Sequence, residues 1–162
     1  MTTLRKLTGI ALLALGAGVL VAGAFFVQQG FSAESEIKAR MAEEAVTITI
    51  DDVKYAVDSA ELATAQALVI KSHTLDKYGP WQTLERGSDE RASLLDGLIL
   101  RNSLNMARMG LDLSLMVKVI GGLFVIVGLG FVTTGAMVLA LTARADGKER
   151  SEARKLVPAY AV

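Results

Sequence analysis

The run from Val119 to Leu141 contains twenty-three residues, none of which is charged. About 20 apolar residues are enough for a helix to cross the hydrocarbon core of a bilayer, so this run predicts a transmembrane helix. No proline occurs between Ser88 and Leu141. We therefore expect one continuous helix of about 53 residues, starting at a cap on Ser88 or Asp89 and ending near Leu141.

A second apolar run extends from residue 7 to residue 27 and follows Arg5 and Lys6. A basic end before an apolar core is also typical of a cleaved signal peptide, and Ala22-Gly23-Ala24 has the small-residue pattern of a cleavage site. The apolar residues continue to Val27, which favours an uncleaved first span.

Acid-to-base pairs four residues apart follow the first apolar run, namely Glu34 with Lys38 and Glu36 with Arg40. Such pairs stabilise helices, so the first helix is expected to continue to about Glu44.

Charge is distributed unevenly although its total is zero. Arg5, Lys6 and the tail beyond Leu141 carry seven basic and three acidic residues, whereas residues 28–118 carry ten basic and fourteen acidic ones. Basic residues next to membrane spans tend to stay in the cytoplasm. Both ends are therefore expected inside the cell and the middle outside.

The only strand signal in the chain is the alternation of β-branched residues from Val46 to Ile50, which ends at Asp51-Asp52. A second extended piece, Val53 to Val57, either pairs with it as a hairpin or forms a linker. Asp58 with Glu61 predicts a capped start for a helix of about 19 residues that ends at Gly79.

The expected fold is an all-α membrane protein, in which two long antiparallel transmembrane helices extend into a small extracytoplasmic helical domain; one short strand or hairpin in that domain is an open alternative. The segments are a cytoplasmic N-terminus (1–6), transmembrane helix 1 (7–27), the extracytoplasmic domain (28–118), transmembrane helix 2 (119–141) and a cytoplasmic tail (142–162), which is predicted to be frayed or interfacial.

Glycine recurs every seven residues in both apolar helices. A heptad stripe of small residues lets two backbones approach closely where lipid provides no hydrophobic drive for association. We predict that the two stripes pack on each other within one chain, with a homo-oligomer interface and chance occurrence as alternatives. The predicted helix-packing residues are Gly9, Gly16, Gly23, Gly30, Gly121, Gly128 and Gly135, with Ala107, Ser114 and Thr142 in register.

A polar stripe formed by Arg101, Asn105, Arg108 and Asp112 lies on one face of the last helix. It is a candidate partner face, and the alternative is a face that simply contacts water. The other faces are rich in apolar residues and need to be covered, which favours a bundle, an oligomer or a partner. They include Leu95, Ile99, Met106 and Leu113 on one side and Leu100, Leu104 and Leu111 on another.

Several kinds of chemistry are excluded or disfavoured. The absence of cysteine excludes disulfides and thiolate sites, and a single histidine, His73, cannot form a two-histidine metal site within one chain. The two spans contain no ionisable group of the kind that proton relays and transporters need. The chain has no basic stripe for nucleic acid. We predict no metal, no cofactor and no small-molecule substrate.

The segment Leu68 to Leu104 resembles a family of small two-span bacterial membrane proteins that often carry the label aromatic ring-opening dioxygenase. The residues that carry the resemblance are Ile70, His73, Leu75, Trp81, Leu84, Arg86, Arg91 and the string Leu100-Arg101-x-Ser103-Leu104. The resemblance implies a two-span membrane protein with an outer helical domain. The label implies a non-haem iron held by two histidines, which one histidine cannot supply.

The expected function is a non-enzymatic protein of the bacterial plasma membrane, acting as an accessory or scaffold subunit of a larger assembly. Its expected partners are the lipid bilayer and either another protein or further copies of itself. The alternative is a homo-oligomeric pore or mechanosensitive-type channel, suggested by the small residues at heptad spacing.

Overall fold

The computed structural model describes residues 2–156. Met1 and residues 157–162, including the predicted helix breaker Pro158, lie outside the described residues. The first helix, α1, runs from Thr2 to Glu43. Its expected continuation to about Glu44 is confirmed to within one residue. The Lys38–Glu34 pair at 2.8 Å and the Arg40–Glu36 pair at 2.6 Å both form along this part of the helix.

A β-hairpin follows, in which β1 (Thr47–Ile50) pairs antiparallel with β2 (Val53–Ala56). Asp51 and Asp52 connect the strands with φ angles of 49° and 62°. Positive φ at both central residues is characteristic of a type I′ turn, whose twist matches that of the two strands in a two-residue hairpin. Aspartate tolerates positive φ better than most residues. The extended stretch is thus a hairpin and not a linker.

Helix α2 (Ala60–Lys71) is shorter than expected. Its N-cap is Ser59, whose hydroxyl accepts from the Leu62 amide at 3.2 Å, so the predicted cap at Asp58 is wrong by one residue. The chain continues as a π-helical turn over Ser72–Asp76. There the Thr74 hydroxyl donates to the Ile70 carbonyl at 2.7 Å, and such side-chain bonds compete with the regular α-helical pattern.

A short 3₁₀ helix (Trp81–Thr83) leads to α3, which runs from Asp89 to Leu156. Ser88 caps α3, since its hydroxyl accepts from the Arg91 amide at 3.2 Å. The predicted end near Leu141 is wrong by fifteen residues, because the charged segment beyond it continues as helix. That segment is rich in Ala, Lys, Glu and Arg, which propagate helices well.

The chain divides into two compact units. The first, the helix pair, consists of α1 up to Val27 and α3 from Val119 onward; the second, the central unit, spans Gln28–Lys118. The core of the central unit combines α1, the hairpin, α2 and α3. Its buried residues are Met41, Ile48, Val57, Ala63, Ala67, Leu104 and Leu111.

Two helices of the described chain are long and apolar enough to cross a membrane, one near the N-terminus and one within α3. Only 11% of the most apolar window of each helix is buried. The core helix of a soluble protein buries most of such a stretch, so these helices direct their apolar side chains outward. The helices are joined by the short region that contains the hairpin and α2.

Candidate functional site

A seam of glycines joins the two helices of the helix pair. A methyl group added at Gly16 would lie 2.8 Å from the Val132 amide nitrogen and 2.9 Å from the Gly128 carbonyl oxygen. A methyl group at Gly128 would lie 3.0 Å from the Gly16 carbonyl oxygen. Real Cβ atoms do not approach backbone so closely, so only glycine allows this helix separation at the two positions.

The other glycines of the seam lie in matching positions. Residues near the start of α1 oppose residues near the end of α3, so the two helices of the pair run antiparallel. The neighbouring pairs are Gly9 with Gly135 and Gly23 with Gly121. Within the central unit, Gly30 faces the Ser114 carbonyl oxygen in the same manner. The flanking residue Thr142 is also buried, and its hydroxyl donates to the Val138 carbonyl at 2.7 Å.

An ion cluster within the central unit joins α1 to α3. The Lys118 ammonium donates to the Glu34 carboxylate, which also pairs with Lys38 at 2.8 Å. Lys118 additionally lies 4.8 Å from the centre of the Phe31 ring. Hydrogen bonds from Lys118 and then from Lys38 lower the pKa of Glu34 from the ordinary 4.5 to about 2, and the bond to Glu34 raises the pKa of Lys38. The carboxylate form of Glu34 therefore ties two elements together.

Replacing Glu34 with glutamine is expected to lower the unfolding temperature near neutral pH but not in acid. A lowered folded-state pKa stabilises the fold above the unfolded pKa, and this contribution disappears as pH falls from about 4.5 towards about 2. The difference in unfolding temperature between wild type and Glu34→Gln, measured in mild detergent, should shrink between pH 7 and pH 3. Glu36→Gln is the control, because both partners of the Glu36–Arg40 pair are exposed. Parallel pH profiles for wild type and Glu34→Gln would contradict the assignment.

The predicted polar stripe lies on the surface of α3 in the central unit. Asn105, Arg108 and Asp112 are exposed, Arg101 is half-buried, and Arg108 pairs with Asp112 at 3.5 Å. An exposed pair at this distance contributes under about 1 kcal/mol. Arg101 and Asn105 also border a shallow groove with Ile99.

The apolar surface of α3 is divided between a buried and an exposed face. Leu104 and Leu111 are only 6% and 7% exposed, because they pack into the core of the central unit. These two leucines are therefore covered, as expected, and the cover is a bundle formed by other elements of the same chain. Leu100, placed on the same side, stays 56% exposed beside a groove of about 430 Å³.

The exposed face of α3 forms a continuous line, which we call the outer stripe. It consists of Leu95, Ile99, Asn102, Met106, Met109, Leu113 and Met116, all exposed. Their spacing alternates between four and three residues, the pattern of a helix seam. Four of the seven are among the residues predicted from the sequence; Asn102, Met109 and Met116 are not, although this alternation is visible in the sequence.

Three residues that carry the family resemblance meet beside the N-terminus of α3. The Arg91 guanidinium lies 4.2 Å from the centre of the Trp81 ring and donates to the Leu84 carbonyl at 3.2 Å. This contact fastens the connecting segment to α3. His73 lies exposed in the π-helical turn.

Among residues 2–156, no group of three or more His, Asp or Glu side chains is arranged to hold a metal ion. The buried side-chain nitrogen and oxygen atoms of residues 3–152 all have hydrogen-bond partners. Comparisons with protein-family models, with curated proteins and with solved structures found no match to this chain.

Proposed function

We propose that the protein is a non-enzymatic two-pass protein of the bacterial plasma membrane that acts as an accessory or scaffold subunit of a larger membrane assembly. The helix pair spans the bilayer, both termini are cytoplasmic and the central unit is extracytoplasmic. Membership of the two-span bacterial family resembled by Leu68 to Leu104 stays a prediction within this proposal.

One observation carries the scaffold role: the central unit exposes large apolar side chains on three of its elements. Besides the outer stripe, Val53 and Tyr55 of the hairpin and Leu68 of α2 are about half exposed. A monomeric domain in water rarely leaves so much apolar surface uncovered, and such surfaces are typical of protein contacts.

The close packing of the glycine seam favours the scaffold over the alternative of a homo-oligomeric pore. Gly16 and Gly128 already oppose each other within one chain. The small residues that suggested a subunit interface in the membrane are thus occupied internally. The outward side chains of the helix pair, such as Leu15 and Ile126, are apolar and suit contact with lipid.

Extraction from native membranes in mild detergent, followed by native mass spectrometry, tests the scaffold role. We expect other membrane proteins to remain bound to the wild type. Leu68→Asp places a charge on an exposed apolar site of α2. We expect it to reduce the recovery of these proteins at least about tenfold, because burying the charge in a contact should weaken binding by about 1.4 kcal/mol or more. Glu61→Gln, also exposed on α2, should leave recovery unchanged. Wild-type protein that is always free of other proteins would contradict the proposal.

A further inference from the structure

We propose that the outer stripe of α3 binds the same stripe of a second copy of this chain, so that the scaffold is built from parallel dimers. This inference rests on the proposed function, because it names one partner of the scaffold subunit. The stripe belongs entirely to the central unit and lies opposite the leucines that α3 buries. At 100° per residue, for example, Met106 is about 160° from Leu104.

The spacing of the outer stripe is that of a two-stranded coiled coil. Ile99, Met106 and Leu113 are seven residues apart and occupy one core position of the heptad. The other core position is filled by Leu95, Asn102, Met109 and Met116. Two such helices pack knobs into holes when they run side by side with a slight left-handed supercoil.

Asn102 distinguishes a helix partner from the other possible environments of the stripe. Facing lipid, its amide would lack hydrogen-bond partners. Facing water, the remaining apolar side chains would stay uncovered. A single polar residue in an apolar seam fixes the register of a coiled coil, and Asn102 can pair with Asn102 of the second copy.

A second copy fits this surface better than an unrelated helix. Copies inserted with the same topology present identical stripes in the same orientation, which a two-fold axis normal to the bilayer brings together. Met106 and Met109 are 67% and 69% exposed. With their five exposed neighbours they form a strip along about six turns of α3.

Cysteine crosslinking of the purified full-length chain in lipid vesicles tests the dimer, since the natural chain has no cysteine. Met109→Cys should form a disulfide with its counterpart in most of the protein upon mild oxidation. Leu100→Cys, which is exposed on another side of α3, should remain monomeric. Equal crosslinking at the two positions, or none at Met109→Cys, would overturn the proposal.

A second variant tests the energetics without a crosslink. Met106→Asp with Met109→Asp should raise the dissociation constant of the dimer at least about a hundredfold, as charge is buried in an apolar seam. Asn105→Asp on the polar stripe should leave it unchanged. Both changes are on exposed sites, so an unaltered unfolding temperature of the monomer shows that the fold is intact.

These experiments separate the dimer from the scaffold role. A purified chain that is monomeric in vesicles, while native extraction retains other proteins, overturns the dimer alone. A dimer formed by the purified chain, with no other protein retained on native extraction, supports the dimer and contradicts the wider assembly.

Discussion

Gly16→Leu is expected to lower the unfolding temperature of the protein in mild detergent by about 5–10 °C, whereas Gly18→Leu leaves it nearly unchanged. The two glycines lie two residues apart on the same helix, and the substitution is the same. A Cβ atom at Gly16 would meet backbone atoms of α3 within 3 Å, while nothing lies within 4 Å of one at Gly18. Only the first variant forces the helices apart.

Overpacking an ordinary core costs about 1–3 kcal/mol because side chains can move to other rotamers. At Gly16 the nearest atoms include the Val132 amide nitrogen and the Gly128 carbonyl oxygen. Backbone atoms in a helix cannot move without shifting the helix itself. We therefore expect the variant to fall at the upper end of that range or above it.

The measurement is thermal unfolding followed by circular dichroism, with the fraction of soluble monomer recorded at each temperature. Gly128→Leu and Gly130→Leu repeat the comparison on α3, where Gly128 is in the seam and Gly130 is open. Equal stability of the seam and open variants would show that the close approach of the helices contributes nothing to the folded state.

Patterns along one helix were the most readable part of this sequence. Uninterrupted apolar composition predicted both long helices, and the pairs starting at Glu34 and Glu36 predicted how far α1 continues. The seven-residue spacing of glycine predicted positions of contact between the helices, and Gly16 and Gly128 lie against each other in the structure. These signals are visible because each depends on residues within a few turns of one another.

The hairpin turn and the end of α3 were predicted less well than the long helices. Asp51-Asp52 is not a favoured turn dipeptide. The strands nevertheless pair, with Ile48 opposite Tyr55, and both aspartates adopt the positive φ angles that a two-residue hairpin turn requires. The change from apolar to charged residues after Leu141 predicts the end of α3 wrongly, since the helix continues to Leu156. A charged segment is better suited to water than to lipid, but its Ala, Lys, Glu and Arg residues favour the helix as well as apolar residues do.

The candidate surfaces required tertiary information. Leu100, Leu104 and Leu111 look equivalent in sequence, but packing of the hairpin and α2 buries only the last two. The alternation of the outer stripe is visible in the sequence, but only the burial of the opposite face of α3 shows that this side is the exposed one. The ion cluster of Glu34 and Lys118 joins residues 84 positions apart, a separation at which single-sequence patterns give no pairing.

The proposed topology predicts an all-or-none result for single cysteines introduced into this cysteine-free chain. Thr49→Cys in the hairpin should react with a membrane-impermeant maleimide in right-side-out vesicles and not in inverted ones. Ser151→Cys in α3 should show the opposite pattern. Both positions are exposed to solvent, so reactivity reports the side of the membrane and not burial in the protein.

The physical reason lies in the charges beside the spans. Arg5, Lys6 and the tail beyond Leu141 hold seven basic and three acidic residues, whereas residues 28–118 are net acidic. Lysine and arginine near the ends of a span are retained on the cytoplasmic side. In the proposed topology, two spans return the chain to its starting side, so both ends share one compartment and the central unit occupies the other.

Leu15→Cys supplies the control for insertion itself, because Leu15 is exposed on the helix pair yet should face acyl chains. Its thiol should resist labelling from either side, as maleimide reacts with the thiolate and an apolar environment suppresses ionisation. Labelling of Leu15→Cys in both vesicle types would contradict a transmembrane helix pair. Labelling of Thr49→Cys in inverted vesicles only would show that the two spans are present but inserted in the opposite orientation.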